Sequence, residues 1–116
     1  MPPITTDPFF TIIQSDFMAI AVFKDRHILW ANRATHRLYG YDFDQLIGQA
    51  TRVFYQDQET YEAFGLEFYA QIAKNGSYNG TVMQRRKDGS IGWFEFNASP
   101  HGNRPGEVIA AIIDRT

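Results

Sequence analysis

Apolar and polar residues alternate along the C-terminal third of the chain. From Tyr78 to Arg85 and again from Ile91 to Ser99, β-branched and aromatic residues interleave with polar ones, the period of strands with one buried face. Arg85-Arg86-Lys87-Asp88-Gly89-Ser90 lies between them and reads as a hairpin turn, because glycine accepts a positive φ without steric cost and aspartate tolerates it. A third run, Glu107 to Asp114, follows a turn marked by Pro100, Gly102, Asn103, Pro105 and Gly106. The three runs predict an antiparallel meander. In the middle strand, alternation sends Phe94, Phe96 and Ala98 to one face and Trp93, Glu95 and Asn97 to the other. Val108 to Ile113 is apolar without a break, so both faces of the last strand call for cover. Val108, Ala110 and Ile112 are expected under helices. Ile109, Ala111 and Ile113 need a second cover.

Upstream, Asp7-Pro8 reads as a helix cap followed by proline in the first turn, with a short helix to about Gln14. Phe9, Phe10, Ile12 and Ile13 occupy more than one face of it, so it is expected to be buried, against the outer face of the sheet, a partner subunit, or both. Met18 to Phe23 and His27 to Ala31 predict two strands about a Lys24-Asp25-Arg26 turn, joining the meander as a five-stranded antiparallel sheet. Asn32 caps a helix to about Tyr39, with Leu38 inward and Gly40 as its stop. Asp42, with Gln45 three residues on, opens another turn that carries Leu46 and Ile47 inward and ends at Gly48. Ala50 to Phe54 fits one further helical turn. Asp57 caps the longest helix, to about Lys74, which Asn75-Gly76 stops. Tyr61, Phe64, Phe68 and Ile72 form its apolar stripe. Gly65 lies mid-helix, where glycine costs about 1 kcal/mol against alanine. Close approach of a ligand or strand, or tighter helix–sheet packing, would account for it.

The fold class expected is α+β: a five-stranded antiparallel sheet with short helices and one longer helix on one face and the N-terminal helix on the other. Residues 1–16 would form the capping helix and residues 17–116 one domain.

With 44% hydrophobic and 16% aromatic residues the chain has material for a modest core. Eleven basic against thirteen acidic residues, with no basic block longer than Arg85-Arg86-Lys87, give no nucleic-acid footprint. The absence of cysteine excludes disulfides, thiolate metal sites and a cysteine nucleophile. No apolar run approaches the ~20 residues of a membrane span, and the N-terminal residues lack the pattern of a signal peptide, so a cytoplasmic location without membrane contact is expected. His27, His36 and His101 have no metal-like spacing. The glutamates of the long helix read as a solvated face, and no phosphate loop or nucleophile elbow is present.

Asn32-Arg33-Ala34 after a strand, Gly40-Tyr41, Leu46-Ile47-Gly48, Arg86-Lys87-Asp88-Gly89-Ser90 with Trp93, and the closing Asp114-Arg115-Thr116 together resemble a PAS domain over roughly residues 17–116. Thr51-Arg52-Val53-Phe54-Tyr55, with Tyr61, Gly65 and Tyr69, further resembles PAS domains attached to bacterial diguanylate cyclases and sensor histidine kinases. The resemblance implies a sensory or dimerising module and not a catalyst. Phe23 stands where many members have an aspartate. Flavin-binding light-sensing (LOV) members carry a reactive cysteine at the position of Thr51, so a flavin–cysteinyl adduct is excluded, although Arg52 matches an arginine those members place on the flavin phosphate. Haem-binding members place a histidine on the long helix, and this one has none. No cofactor is therefore expected.

The remaining candidate site is the space between helices and sheet. Its expected walls are Val22, Gln84, Phe94, Phe96, Ala98 and Ile112 from the sheet and Leu38, Phe54, Phe64 and Phe68 from the helices. Gln84 points inward by alternation, and a buried amide needs partners. The lining would either fill the space as a packed core or hold a small apolar ligand. Asp114 and Thr116 are expected to anchor a helix leading to an effector beyond Thr116. Three functions fit: a sensory and dimerising module of a signalling protein, a ligand-free constitutive homodimerisation module, and a small α+β enzyme with a cone-like cavity.

Overall fold

The structure, a computed structural model, describes residues 18–116. The capping helix expected around Phe9, Phe10, Ile12 and Ile13 lies outside the described residues. Strands β1 (Ala19–Lys24) and β2 (His27–Ala31) form a hairpin about Asp25 and Arg26, whose φ values of 49° and 63° are both left-handed. A two-residue turn of that hand follows the natural twist of the strands. Val22 opposes Trp30 and Phe23 opposes Ile28, so Leu29 is an extra residue that bulges from β2.

Three strands follow the helices: β3 (Tyr78–Arg85), β4 (Ile91–Pro100) and β5 (Glu107–Asp114). They pair antiparallel, and β1 joins β5, giving the order β2-β1-β5-β4-β3. The β3–β4 turn is longer than a two-residue loop. Gly89 takes φ 90°, while Asp88 stays in the ordinary region and accepts from the Ser90 N–H at 2.8 Å.

Register sets the two faces of the sheet. Ala21 opposes Ala110 and Phe23 opposes Val108, so these and Ile112 lie on the helix side and are buried. Val22 opposes Ile109, which puts both on the other face. The expectation that Val22 lines the cavity is therefore corrected: alternation from Phe23, which faces the helices, turns Val22 away. Ile109, Ala111 and Ile113 are half-buried on that outer face, and Trp93 there is 49% exposed.

The helices cross the inner face. In α1 (Arg33–Tyr39), Asn32 Oδ1 accepts from the N–H of Thr35 and also from that of Ile20, so the cap pins the helix to β1. Gly40 ends it in the left-handed conformation. Tyr39 is the fully buried side chain of α1, and Leu38 is only half-buried. A capping box opens α2 (Phe43–Leu46), with the Asp42 N–H donating to Gln45 Oε1 at 3.0 Å. Thr51–Phe54 make a single 3-10 turn. The long helix α3 (Gln58–Asn75) starts at Asp57, whose carboxylate accepts from the Thr60 N–H at 2.7 Å, and stops at left-handed Gly76. The core between these layers is largely aromatic, with Tyr39 stacked on Phe54 and Phe94 at 4.0 and 5.1 Å between ring centroids.

Candidate functional site

The inner face of the sheet, the 3-10 turn and α3 enclose a cavity with a free volume of about 30 Å³, room for a water or two. Its walls are Phe23, Phe96 and Val108 from the strands, Thr51, Phe54 and Tyr55 from the 3-10 turn and the residue after it, and Phe64, Gly65, Phe68 and Tyr69 from α3. Gln84 and Arg26 supply the remaining polar lining. Of the expected walls, Phe54, Phe64, Phe68, Gln84 and Phe96 meet there. Phe94, Ala98 and Ile112 are buried on the same face of the sheet but pack into the core away from the cavity, so they are not cavity walls. Leu38 is displaced too: it lies in a surface groove with Met18, Ala34 and Arg86, because Tyr39 takes the inward position on α1.

Gln84, 1% exposed, has its partners. The Tyr39 hydroxyl donates to Gln84 Oε1 at 2.5 Å, and the Tyr55 hydroxyl is hydrogen-bonded by the side chains of Gln84 and Arg26. Burial raises the Tyr39 hydroxyl well above the ordinary phenol value. Burial likewise pushes Tyr55 up to about 12, against the opposing influence of Gln84 and Arg26. Both stay neutral across the physiological range, so this network holds its protons.

Arg26 reaches the cavity from the β1–β2 turn. Its Nη1 donates to the Tyr61 carbonyl at 2.9 Å, and its guanidinium carbon lies 3.6 Å from the Tyr61 ring centroid. Gly65 makes room: a Cβ there would stand 2.4 Å from Nη1. The glycine's close approach is thus to an arginine from a turn and not to a strand. The Arg26 carbonyl accepts from the Thr51 N–H at 2.8 Å, tying the turn to the opposite wall.

A second cluster sits at the other end of the sheet. Arg86 Nη2 donates to Asp114 Oδ2 at 2.7 Å, and the guanidinium lies 5.1 Å from the Phe94 ring. Thr116 Oγ1 accepts from the Trp93 N–H at 3.1 Å, and the Thr116 N–H donates to Asp114 Oδ1 at 2.9 Å. Burial works to raise the Asp114 carboxyl, but hydrogen bonds from Thr116 and Arg86 outweigh it and hold the group below its usual range. Gly92 is buried under this cluster, and a Cβ there would stand 2.6 Å from both Arg86 Nη2 and Thr116 Oγ1. Asp114 and Thr116, expected as anchors for a following helix, are here bound to the β3–β4 hairpin of their own domain. Through Phe94 this cluster touches Tyr39, and through Tyr39 it touches Gln84 and the cavity.

Arg26 in its turn, Tyr55 and Arg86 in their motifs, and Gly92 carry no site role in the sequence reading. Gly65 was the visible hint, since a helix-interior glycine asks for a close neighbour. Arg52 does not line the cavity: its Nε donates to Gln58 Oε1 and its Nη1 to the Tyr55 carbonyl. Among the described residues no three histidine, cysteine, aspartate or glutamate side chains are grouped to hold a metal ion.

A family model described as a PAS domain matches residues 15–116. A curated nitrogen fixation regulatory protein from Klebsiella oxytoca is 28% identical over 101 residues, which covers 86% of this chain. The chain spans about a fifth, 20%, of that relative's length. Among solved structures, the PAS domain of a Colwellia psychrerythraea protein superposes with a TM-score of 0.83 at 24% identity, over 97% of this chain and 98% of that one. The PAS domain of a LuxR-family transcriptional regulator from Burkholderia thailandensis, solved with ethanol, also gives 0.83 at 18% identity, over 90% and 95%. The LOV domain of a blue-light activated histidine kinase from Erythrobacter litoralis gives 0.71 at 17% identity, over 85% and 96%.

Proposed function

The chain belongs to the PAS domain family, and from that premise we propose that it is the sensory and dimerising module of a larger bacterial signalling protein. It takes up a very small molecule between helices and sheet and passes the change to an effector beyond Thr116, such as a diguanylate cyclase or a histidine kinase. The observation that carries this is the placement of Gln84 near the end of β3 and of Arg86 just beyond it, two residues apart. Gln84 belongs to the cavity network, Arg86 binds Asp114, and the Tyr39–Phe94 stack lies between them. A shift of Gln84 moves the strand that holds Asp114, which biases whatever chain follows. The ethanol in the Burkholderia thailandensis domain supports a ligand of that size for a 30 Å³ space.

The outer face, with Ile109, Ala111 and Ile113 half-buried beside exposed Trp93 and Met83, supports homodimerisation through the sheet, completed by Phe9, Phe10, Ile12 and Ile13. Residues 1–16 would act as the cap and residues 17–116 as the sensor. Binding and coupling, not catalysis, are the domain's work. Among the described residues no helix is long and apolar enough to cross a membrane, which fits a cytoplasmic placement.

A second reading, the ligand-free dimerisation module, draws on the small volume left by the aromatic walls. Substituting Thr116→Ala in the full-length protein separates the two. Coupling through the Asp114 cluster requires that effector output change while the domain stays folded, its thermal transition lowered by no more than the loss of one hydrogen bond allows. Output that ignores both Thr116→Ala and added small molecules would leave only the dimerising role.

A further inference from the structure

The cavity mouth carries a cation, Arg26, that no carboxylate among the described residues pairs with. Arg26 is half-buried and forms no ion pair among the described residues. A guanidinium has five N–H donors; one goes to the Tyr61 carbonyl and the Tyr55 hydroxyl takes another, leaving most of the fork without an acceptor among the described residues. Three separate features bring it there. The turn residue takes a left-handed φ of 63°, the helix gives up a side chain at Gly65, and the Tyr61 ring offers its face. A half-buried charge in such a position favours an anion, and guanidinium binds carboxylate best, by two parallel hydrogen bonds.

Behind the cation the walls are Phe64, Phe68, Phe96 and Val108, with no carboxylate among the cavity-lining residues to repel an anion. The free volume of about 30 Å³ suits a few heavy atoms, and Arg26 lines it with a flexible side chain. Resting on the small-ligand reading of this cavity, we propose that Arg26 is a specificity-determining gate. It swings off Gly65 to admit a short-chain carboxylate of roughly two to four carbons. It then closes on the carboxylate, with the alkyl part against the phenylalanines.

The test is a titration of the chain with sodium acetate, propionate and butyrate beside ethanol, propanol and butanol, at fixed pH and ionic strength, followed by amide chemical shifts of cavity residues. The carboxylate is expected to bind about tenfold or more tighter than the alcohol of equal length. Arg26→Gln should erase that preference and leave alcohol affinity in place. Gly65→Ala keeps the arginine but occupies its seat, so it should erase the preference as well. It also decides the matter if Arg26→Gln does not fold. Equal affinity for the two series, or a preference that survives both substitutions, overturns the anion-reading gate while the small-ligand reading stands. Absence of shifts with either series overturns both together.

Discussion

At the cavity mouth Arg26 lies against Gly65 and the ring of Tyr61; at the opposite end of the sheet Arg86 lies against Gly92 and the ring of Phe94. In each case a glycine has given up its side chain so that a guanidinium can rest on the backbone beside an aromatic face. The difference is the counter-ion. Arg86 closes on Asp114 and, with Thr116, forms a satisfied cluster, whereas among the described residues Arg26 has a carbonyl and a hydroxyl as its acceptors and no carboxylate. A charge neutralised within the domain holds parts together. A charge left open is available to something that arrives from outside. The same local device therefore serves as a clamp at one end and as a receptor at the other.

The largest effect comes from cutting what joins the two. Phe94 is 0% exposed and touches both Arg86 and Tyr39, so Phe94→Ala should cost about 3–5 kcal/mol in urea denaturation, part of it for the cavity left behind. It should also uncouple the ends, so that Arg86 amide shifts no longer respond to a ligand at Gln84. A Phe94→Ala domain as stable as its parent would mean that the aromatic stack is not shared core.

Next in size is the clamp itself. Gly92→Ala places a methyl where Arg86 Nη2 and Thr116 Oγ1 now sit, and both side chains must leave. Loss of the Asp114 pair and of the bond to the Trp93 N–H should destabilise by about 1–2 kcal/mol. The change should appear in thermal melts and as altered shifts for Trp93 and Asp114. If the two glycines are equivalent in role, Gly65→Ala should do as much damage, and the comparison fails.

The clamp should also leave a mark in pH that the receptor end lacks. The folded Asp114 carboxyl is held below its ordinary value of 3.8, so the stabilisation is complete above that value and is lost as pH falls through the lower folded one. Asp114→Asn should therefore flatten part of the acid limb of a stability–pH curve. Asp57, Asp88 and Glu95 are lowered as well, so the limb shrinks without vanishing. Among the described residues no carboxylate pairs with Arg26, and substitutions there should leave the limb alone.

What the amino-acid pattern disclosed and what it hid divide along the same line. Strand alternation is local, so Phe94 and Phe96 inward, Trp93 outward and the doubly apolar β5 could be read directly. The helix caps at Asn32, Asp42 and Asp57 were legible for the same reason. Face assignment in β1 failed at Val22, since five of its six residues are buried and an apolar run does not say which residues point to the helices. On α1 the expected inward residue is Leu38, but Tyr39 takes that place, because Gln84 satisfies its hydroxyl in the core. Arg26 was beyond reach for a deeper reason. A charged residue in a tight turn normally faces water, and only the folded chain sets it over Gly65 of a helix much later in sequence.

The smallest effect is the most discriminating. Gly65→Ala improves helix propensity by about 1 kcal/mol, and it displaces a cation–π contact and a carbonyl hydrogen bond of roughly the same worth together. The clashing atoms are the far end of a flexible side chain, so the turn and the helix need not move. Stability should therefore change by no more than about 1 kcal/mol in either direction, while the Tyr61 and Tyr69 resonances shift as the guanidinium departs. A large loss would show that Arg26 is a structural pin between the turn and α3, and the distinction between clamp and receptor would disappear.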